Sequence, residues 1–367
     1  MVDIENGGFY GRITGENNLD KQADKGVILN TRILWTFSIS YLELKNPKYL
    51  AIAKRAYEYL KEHFIDQTNG GVYWSLDCKG VVTNSKKQIY AQAFAIYGLS
   101  EYYKISEDKD VLMLAIELYN LIEDNSLDKT YGGYLEAFDE KWNLLDDFRL
   151  SEKDQNEAKT MNTHLHVLEA YTNLYMVWKD ENLKSSLNSL IQLFLERFVQ
   201  NNGHFHLFFD EQWNLKSNEV SYGHDVEGGW LLHEAALVLK EESLIKKTSE
   251  AAVLMTRASL KGLDEDGGLM NHGNTENVID RNKDWWPQAE ALVGLVNTYA
   301  ITNDQRYLDV ANKVWRFIQS NMIDHENGEW FGTVDQYGSV DKLEDKAGPW
   351  KCPYHNGRAM IEIIRRL

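Results

Sequence analysis

The chain reads as an all-α toroid, a ring of paired helices joined by short hairpin-like loops. Two observations predict it. Only four prolines interrupt the 367 residues, and apolar side chains recur with helical periodicity through most of them. A glycine-centred punctuation then returns six times: Asn6-Gly7-Gly8-Phe9-Tyr10, Asn69-Gly70-Gly71-Val72-Tyr73-Trp74, Tyr131-Gly132-Gly133-Tyr134, Asn202-Gly203-His204-Phe205, Asp266-Gly267-Gly268-Leu269 and Asn327-Gly328-Glu329-Trp330-Phe331. Intervals of roughly 60 to 70 residues between copies mark a repeat architecture.

Each interval holds two helices. The pairs read as 30–44 with 47–64, 87–105 with 108–123, 162–179 with 182–199, 225–240 with 242–259 and 284–302 with 304–322, followed by a last helix at 354–366. The first helix of each pair is apolar on several sides, as in Ile33-Leu34-Trp35. The second carries a charged stripe, as in Lys54-Arg55 and Lys61-Glu62. Inner and outer rings follow, within one domain spanning 1–367. Six inner helices but five outer ones can be counted. A sixth outer helix belongs before Gly7, so either the sequence starts inside the ring or the ring closes in another way.

Composition narrows the function. A formal charge of −17 repels phosphate backbones and anionic membrane surfaces, so neither nucleic acid nor membrane is an expected partner. Cys78 and Cys352 have no metal-ligand spacing and read as reduced thiols. Without a basic start or an apolar run at the N-terminus, the expected location is the cytoplasm.

Side chains able to do chemistry gather at the N-terminal ends of the inner helices. Arg32 opens the first and Tyr90 the second; Asn162 and His166 open the third, His224 and Glu227 the fourth, Trp286 and Glu290 the fifth, and His355 the sixth. Parallel inner helices bring these ends to one mouth, where unpaired backbone N–H groups favour negative charge developing on a bound molecule. The spacings 162/166, 224/227 and 286/290 each put two side chains on one helix face. His164 points away from His166 and reads as structural. His63, His233, His272 and His325 read as ordinary surface or core histidines. A metal held by His164, His166 and His224 is disfavoured, because His-x-His splays its side chains within a helix.

KGVILNTRILWTFS (26–39), YAQAFAIYGLSEYY (90–103), KTMNTHLHVLEAYTNLY (159–175), SYGHDVEGGWLL (221–232), WWPQAEALVG (285–294) and KCPYHNGR (351–358) together resemble the N-acylglucosamine 2-epimerase family, in particular its cellobiose-epimerising branch. The resemblance runs from about Gly7 to the end. It implies an (α/α)6 barrel and cofactor-free epimerisation at C2 of the reducing-end sugar of cellobiose and related β-1,4 disaccharides. It also implies His224 and His355 as the acid/base pair, His166 as an assisting catalytic histidine, and Arg32, Tyr90, Asn162, Glu227, Trp286, Glu290 and Trp350 as substrate-binding residues.

The chemistry fits those residue types. An aldose must open its ring, lose the C2 proton to give an enediolate and regain a proton on the other face. Histidine titrates near neutrality and suits both transfers. Glu227, one turn from His224, is placed to orient that imidazole, Arg32 to stabilise the enediolate oxygen, and Trp286 and Trp350 to offer flat faces to sugar C–H groups. No metal is required.

Two rivals stand beside this reading. A glycoside hydrolase on the same barrel needs two carboxylates, for which Glu227 and Glu290 are the candidates. A non-catalytic sugar-binding scaffold needs only the aromatic residues. The choice among cellobiose, mannobiose, lactose and N-acylated monosaccharides rests on loops such as 139–160 and 338–352, and the expected assembly is a monomer or weak homodimer.

Overall fold

In the computed structural model, which describes residues 1–152 and 154–367, the helical reading holds to within about three residues at each end. The helices are α1 (Val27–Leu44), α2 (Pro47–Tyr59), α3 (Ile89–Ser106), α4 (Lys109–Asn125), α5 (Met161–Val177), α6 (Glu181–Leu193), α7 (Tyr222–Leu239), α8 (Glu242–Ser259), α9 (Trp285–Thr302), α10 (Gln305–Phe317) and α11 (Tyr354–Arg366). A π-helical turn extends α2, α6 and α10, at Leu60–Phe64, Phe194–Phe198 and Ile318–Met322.

The odd-numbered helices form the inner ring. Each packs on the next, and α11 packs on both α9 and α1, so the circle closes. Each even-numbered helix lies outside the inner helix before it in sequence. Burial explains this division. Every residue of α3 from Ile89 to Tyr102 is buried, as a helix enclosed on all sides demands, whereas α4 buries only Val111, Ala115, Leu118, Tyr119 and Ile122. Among the described residues no outer helix stands beside the α11–α1 junction, where an ion pair joins Arg365 to Glu43. None of the helices is long and apolar enough to cross a membrane.

Turns inside a pair are tight. Lys45, Glu107, Lys240 and Asn303 end their inner helices in the left-handed conformation, and Asn46, Asp108 and Asp304 then cap the next helix by accepting a backbone N–H. Between pairs, two- and three-residue strands lead into the inner helices and stitch each repeat to its successor. Lys25–Gly26 pairs with Ser75–Leu76, Lys87–Gln88 with Ala137–Phe138, Lys159–Thr160 with Phe208–Phe209, Glu219–Ser221 with His272–Asn274, and Lys283–Asp284 with Thr333–Val334. The hairpin-like loops expected between helix pairs are thus a chain of ladders round the mouth.

A buried ion pair locks most of these joints. The lysine two residues before an inner helix reaches the aspartate that begins a glycine turn: Lys25 to Asp3 at 2.9 Å, Lys87 to Asp66 at 2.8 Å, Lys159 to Asp128 at 2.6 Å and Lys283 to Asp264 at 3.0 Å. Lys346 and Asp324 pair in the last repeat. Asp66 also accepts the N–H groups of Thr68 and Asn69, so the aspartate shapes the turn while it binds the lysine. Gly71 has a φ of 79°, and a Cβ there would stand 2.7 Å from the Trp142 ring, so that turn admits glycine alone. In the fourth repeat Gln200 and Val220 replace the aspartate and lysine together, so no charge is left unpaired.

Breaking such a pair strands a buried carboxylate, which costs about 3 to 5 kcal/mol. Lys87→Met is expected to lower the unfolding free energy in urea by that amount. Lys54→Ala, which removes an exposed 3.7 Å contact with Glu58, is expected to change it by less than about 0.5 kcal/mol.

Candidate active site

At the mouth, the first turns of the inner helices present two tiers of side chains. Tyr90, Asn162, His224, Trp286 and His355 occupy the second or third helical position; Arg32, His166, Glu227 and Glu290 occupy the sixth. A cavity of about 590 Å³ lies among them. Nine of the ten residues expected from the sequence line it: Arg32, Tyr90, Asn162, His166, His224, Glu227, Trp286, Trp350 and His355. Leu150, Glu152 and Asp154 close one side.

Glu290 departs from expectation. It is fully buried behind His355, accepting from His355 Nδ1 at 2.7 Å, from Arg358 Nη2 at 2.7 Å and from Trp230 Nε1 at 3.0 Å. Both its oxygens are committed to protein, so it orients a histidine where substrate contact was expected. Glu227 departs in another way. It lines the cavity, but it accepts from Arg358 Nη2 at 2.5 Å and stands 4.0 Å from His355 Nδ1, and it does not hold His224. His224 Nδ1 meets the Ser221 hydroxyl at 2.8 Å instead. The ring brings Glu227 round to α11, away from the histidine on its own helix.

Each mouth histidine therefore has its Nδ1 engaged: His224 by Ser221, His355 by Glu290, and His166 by Glu169 at 2.9 Å. Among the described residues Nε2 of each forms no hydrogen bond, which leaves that nitrogen for the cavity. Burial holds both His224 and His355 down to about 3, so both stand as neutral imidazoles near neutral pH. Burial pushes Glu227 well above the usual carboxylate range, and the neighbouring Glu290 adds to this. Burial works the same way on Glu169 and Glu290, but the Arg358 charge and the bonds from His166 and Tyr354 to the one and from His355 and Arg358 to the other together outweigh it and hold both low. Trp286 lies against both imidazoles, with ring centres 4.6 Å from His224 and 5.8 Å from His355.

Arg32 is held from two sides. It donates to the Trp350 carbonyl at 2.7 Å and to the Tyr90 hydroxyl at 2.9 Å, and its guanidinium lies over the Phe94 and Tyr354 rings. Asn162 keeps a buried Oδ1 with no protein partner among the described residues, an acceptor ready for a hydroxyl.

Four residues that bond the cavity histidines and glutamates escaped the sequence reading: Ser221, Glu169, Tyr354 and Arg358. Arg358 is the most central, donating to Glu169, Glu227 and Glu290, while Tyr354 donates to Glu169 at 2.6 Å. The signal was present in KCPYHNGR, where an arginine sits inside a helix that must be buried. Glu227, Glu290 and His355 place ligand atoms within 4.8 Å of one another, a grouping able to hold a cation. Arg358 already bonds both carboxylates and supplies the positive charge. The same bridge weakens the hydrolase reading, since Glu290 does not face the cavity.

His164 occupies a repeat position. Its Nε2 accepts the Tyr134 N–H at 2.9 Å, as Gln92 accepts that of Val72 and Gln288 that of Leu269, each after a glycine turn. Its Nδ1 bonds the Thr160 carbonyl, and burial lowers it to about 4.

The chain is similar to proteins of known identity along its whole length. The profile of the N-acylglucosamine 2-epimerase (GlcNAc 2-epimerase) family matches residues 8–359. A cellobiose 2-epimerase of Bacteroides fragilis is 50% identical over 366 residues, covering 99% of this chain and 93% of the relative. One from Ruminococcus albus is 42% identical, covering 100% and 94%. The solved cellobiose 2-epimerase of Bacillus thermoamylovorans superposes with a TM-score of 0.94 at 38% identity, covering 100% of this chain and 94% of that one.

Because glutamine already fills the equivalent place in two other repeats, His164→Gln is expected to keep activity within about threefold and stability within about 1 kcal/mol. His164→Ala leaves the Tyr134 N–H buried without a partner and is expected to cost about 1 to 3 kcal/mol in thermal unfolding.

Proposed function

We propose that this chain, which belongs to the N-acylglucosamine 2-epimerase family, inverts C2 of the reducing-end sugar of β-1,4-linked disaccharides, converting cellobiose to glucosyl-mannose. One observation carries the reading: two neutral imidazoles from different inner helices, His224 and His355, face one cavity with Nδ1 tied back and the same tryptophan against both. Such a pair is suited to moving a proton from a weak carbon acid, and each member can serve as base in one direction and as acid in the other.

The steps follow from the groups present. The sugar ring opens, with His166 beside the reducing end to assist the proton shift. One imidazole Nε2 takes the C2 proton and the electron pair moves onto the carbonyl oxygen. Arg32 and the ring of helix N-termini favour the enediolate that results. The second histidine, on the opposite face, returns a proton to C2. Glu290 stabilises the imidazolium of His355 whenever that residue carries the proton. Asn162, Tyr90 and Glu227 meet the sugar hydroxyls, and Trp286 and Trp350 meet its C–H faces. The cavity volume of about 590 Å³ is in the range of pockets that enclose small ligands.

Incubation with cellobiose, mannobiose, lactose, glucose and N-acetylglucosamine tests the reading. Glucosyl-mannose without free glucose is expected from cellobiose; free glucose as the main product would establish hydrolysis. His224→Ala and His355→Ala are each expected to lower kcat about a thousandfold with little change in melting temperature, because their contribution lies in the transition state.

A further inference from the structure

The two histidines proposed as acid and base do not have equivalent partners. Glu290 is an ionised carboxylate, which only accepts; it fixes the proton of His355 on Nδ1 and favours a second proton on Nε2. Ser221 offers His224 a hydroxyl, which can accept from Nδ1 but adds no charge. The serine is also unusual for its place. It stands at the N-cap of α7, where a hydroxyl ordinarily accepts a backbone N–H of the first turn, yet it makes no such bond. Thr160, at the same place on α5, does make it, accepting the Thr163 N–H at 3.1 Å. The Ser221 hydroxyl thus meets the ring of the third helical residue, His224, in place of a backbone amide.

We infer that Ser221 is a positioning residue that makes the two catalytic histidines unequal: it leaves His224 the neutral base, while Glu290 stabilises the proton that His355 takes up on Nε2 once the sugar is bound. With the sugar bound, His355 Nε2 takes up a proton from solvent; the C2–H bond then breaks toward His224 Nε2, its electron pair moves onto the carbonyl oxygen, and the new C2–H bond forms with the proton of His355 Nε2 as that pair returns. One proton has then passed from His355 to His224 by way of the sugar. It returns through solvent before the next turnover in the same direction. The inference rests on the two-histidine reading above.

The charges around the two rings differ as well. His224 is approached by His166 from α5 and Glu290 from α9, and a small neighbouring cavity puts Glu136, Arg149 and Asp154 near it. His355 is approached by Arg32 from α1, Glu227 from α7, Glu290 from α9, and Tyr354 and Arg358 from its own helix.

Three variants test the assignment. Ser221→Ala is expected to lower kcat roughly tenfold with KM within about twofold, and to move the acidic limb of the kcat–pH profile downward, because the protonated form of His224 loses an acceptor. Its melting temperature should be unchanged, since no cap bond is lost. Ser221→Thr restores the hydroxyl and should restore kcat. Ser221→Asp supplies an acceptor that carries charge, favours the imidazolium and should move the acidic limb upward. Wild-type kcat and pH profile in Ser221→Ala, an unmoved limb in Ser221→Asp, or a loss of melting temperature in Ser221→Ala would overturn the inference. His224→Ala and His355→Ala separate the two levels. If both remain active, the two-histidine reading fails; if both are inactive while Ser221→Ala behaves as wild type, only the role of Ser221 fails.

Discussion

The structure depends on one guanidinium. Glu169, Glu227 and Glu290 come from three different inner helices and are buried together at the barrel axis, where uncompensated carboxylates would be costly. Arg358 lies among them, donating through Nη1 to Glu169 and through Nη2 to Glu227 and Glu290, with its plane against Trp230 and Tyr354. Each consequence follows from this. Glu290 is kept ionised and holds His355; Glu169 is kept ionised and holds His166. Arg358 and His355 are one turn apart on α11, the helix that packs on α9 and α1 to complete the ring. Closing the barrel and assembling the site are therefore the same event.

The repeat explains how one architecture supplies both framework and chemistry. The fourth residue of α3, α5, α7 and α9 is Gln92, His164, Asp225 and Gln288, and each accepts a backbone N–H from the glycine turn before it. Just above and below that framework position stand the two tiers of the mouth. The fourth repeat departs from the others. Its lysine–aspartate pair is gone, Asp225 pairs with His204 at 2.6 Å, and this is the repeat that supplies His224, Glu227 and Ser221. The joint with the most altered locking is the one that carries His224 to the cavity.

The helices were legible because periodicity and glycine punctuation are local, and the mouth was legible because parallel inner helices must bring their N-termini together. What escaped was the choice of partners. Glu169 follows His166 by three residues and Glu227 follows His224 by three, so helical spacing treats the two pairs alike. Only the first forms a bond, because the ring turns Glu227 toward Arg358, 131 residues away in sequence. Glu290 was read as a substrate ligand for the same reason: its position on the helix was right, but α11 intervenes between it and the cavity. The buried lysine–aspartate pairs were missed because a lysine before a helix and an aspartate before a glycine turn each look like surface residues until the strands join them.

The central claim is that two histidines move the C2 proton through different exchangeable pools. It is tested most directly by running the epimerisation in D2O and examining C2 of the product by NMR. A base on one face and an acid on the other place deuterium at C2 in every product molecule formed in a single turnover, with no added cofactor. A product that forms under those conditions with its original hydrogen still at C2 would contradict the account and require a single group that carries the same proton from one face to the other.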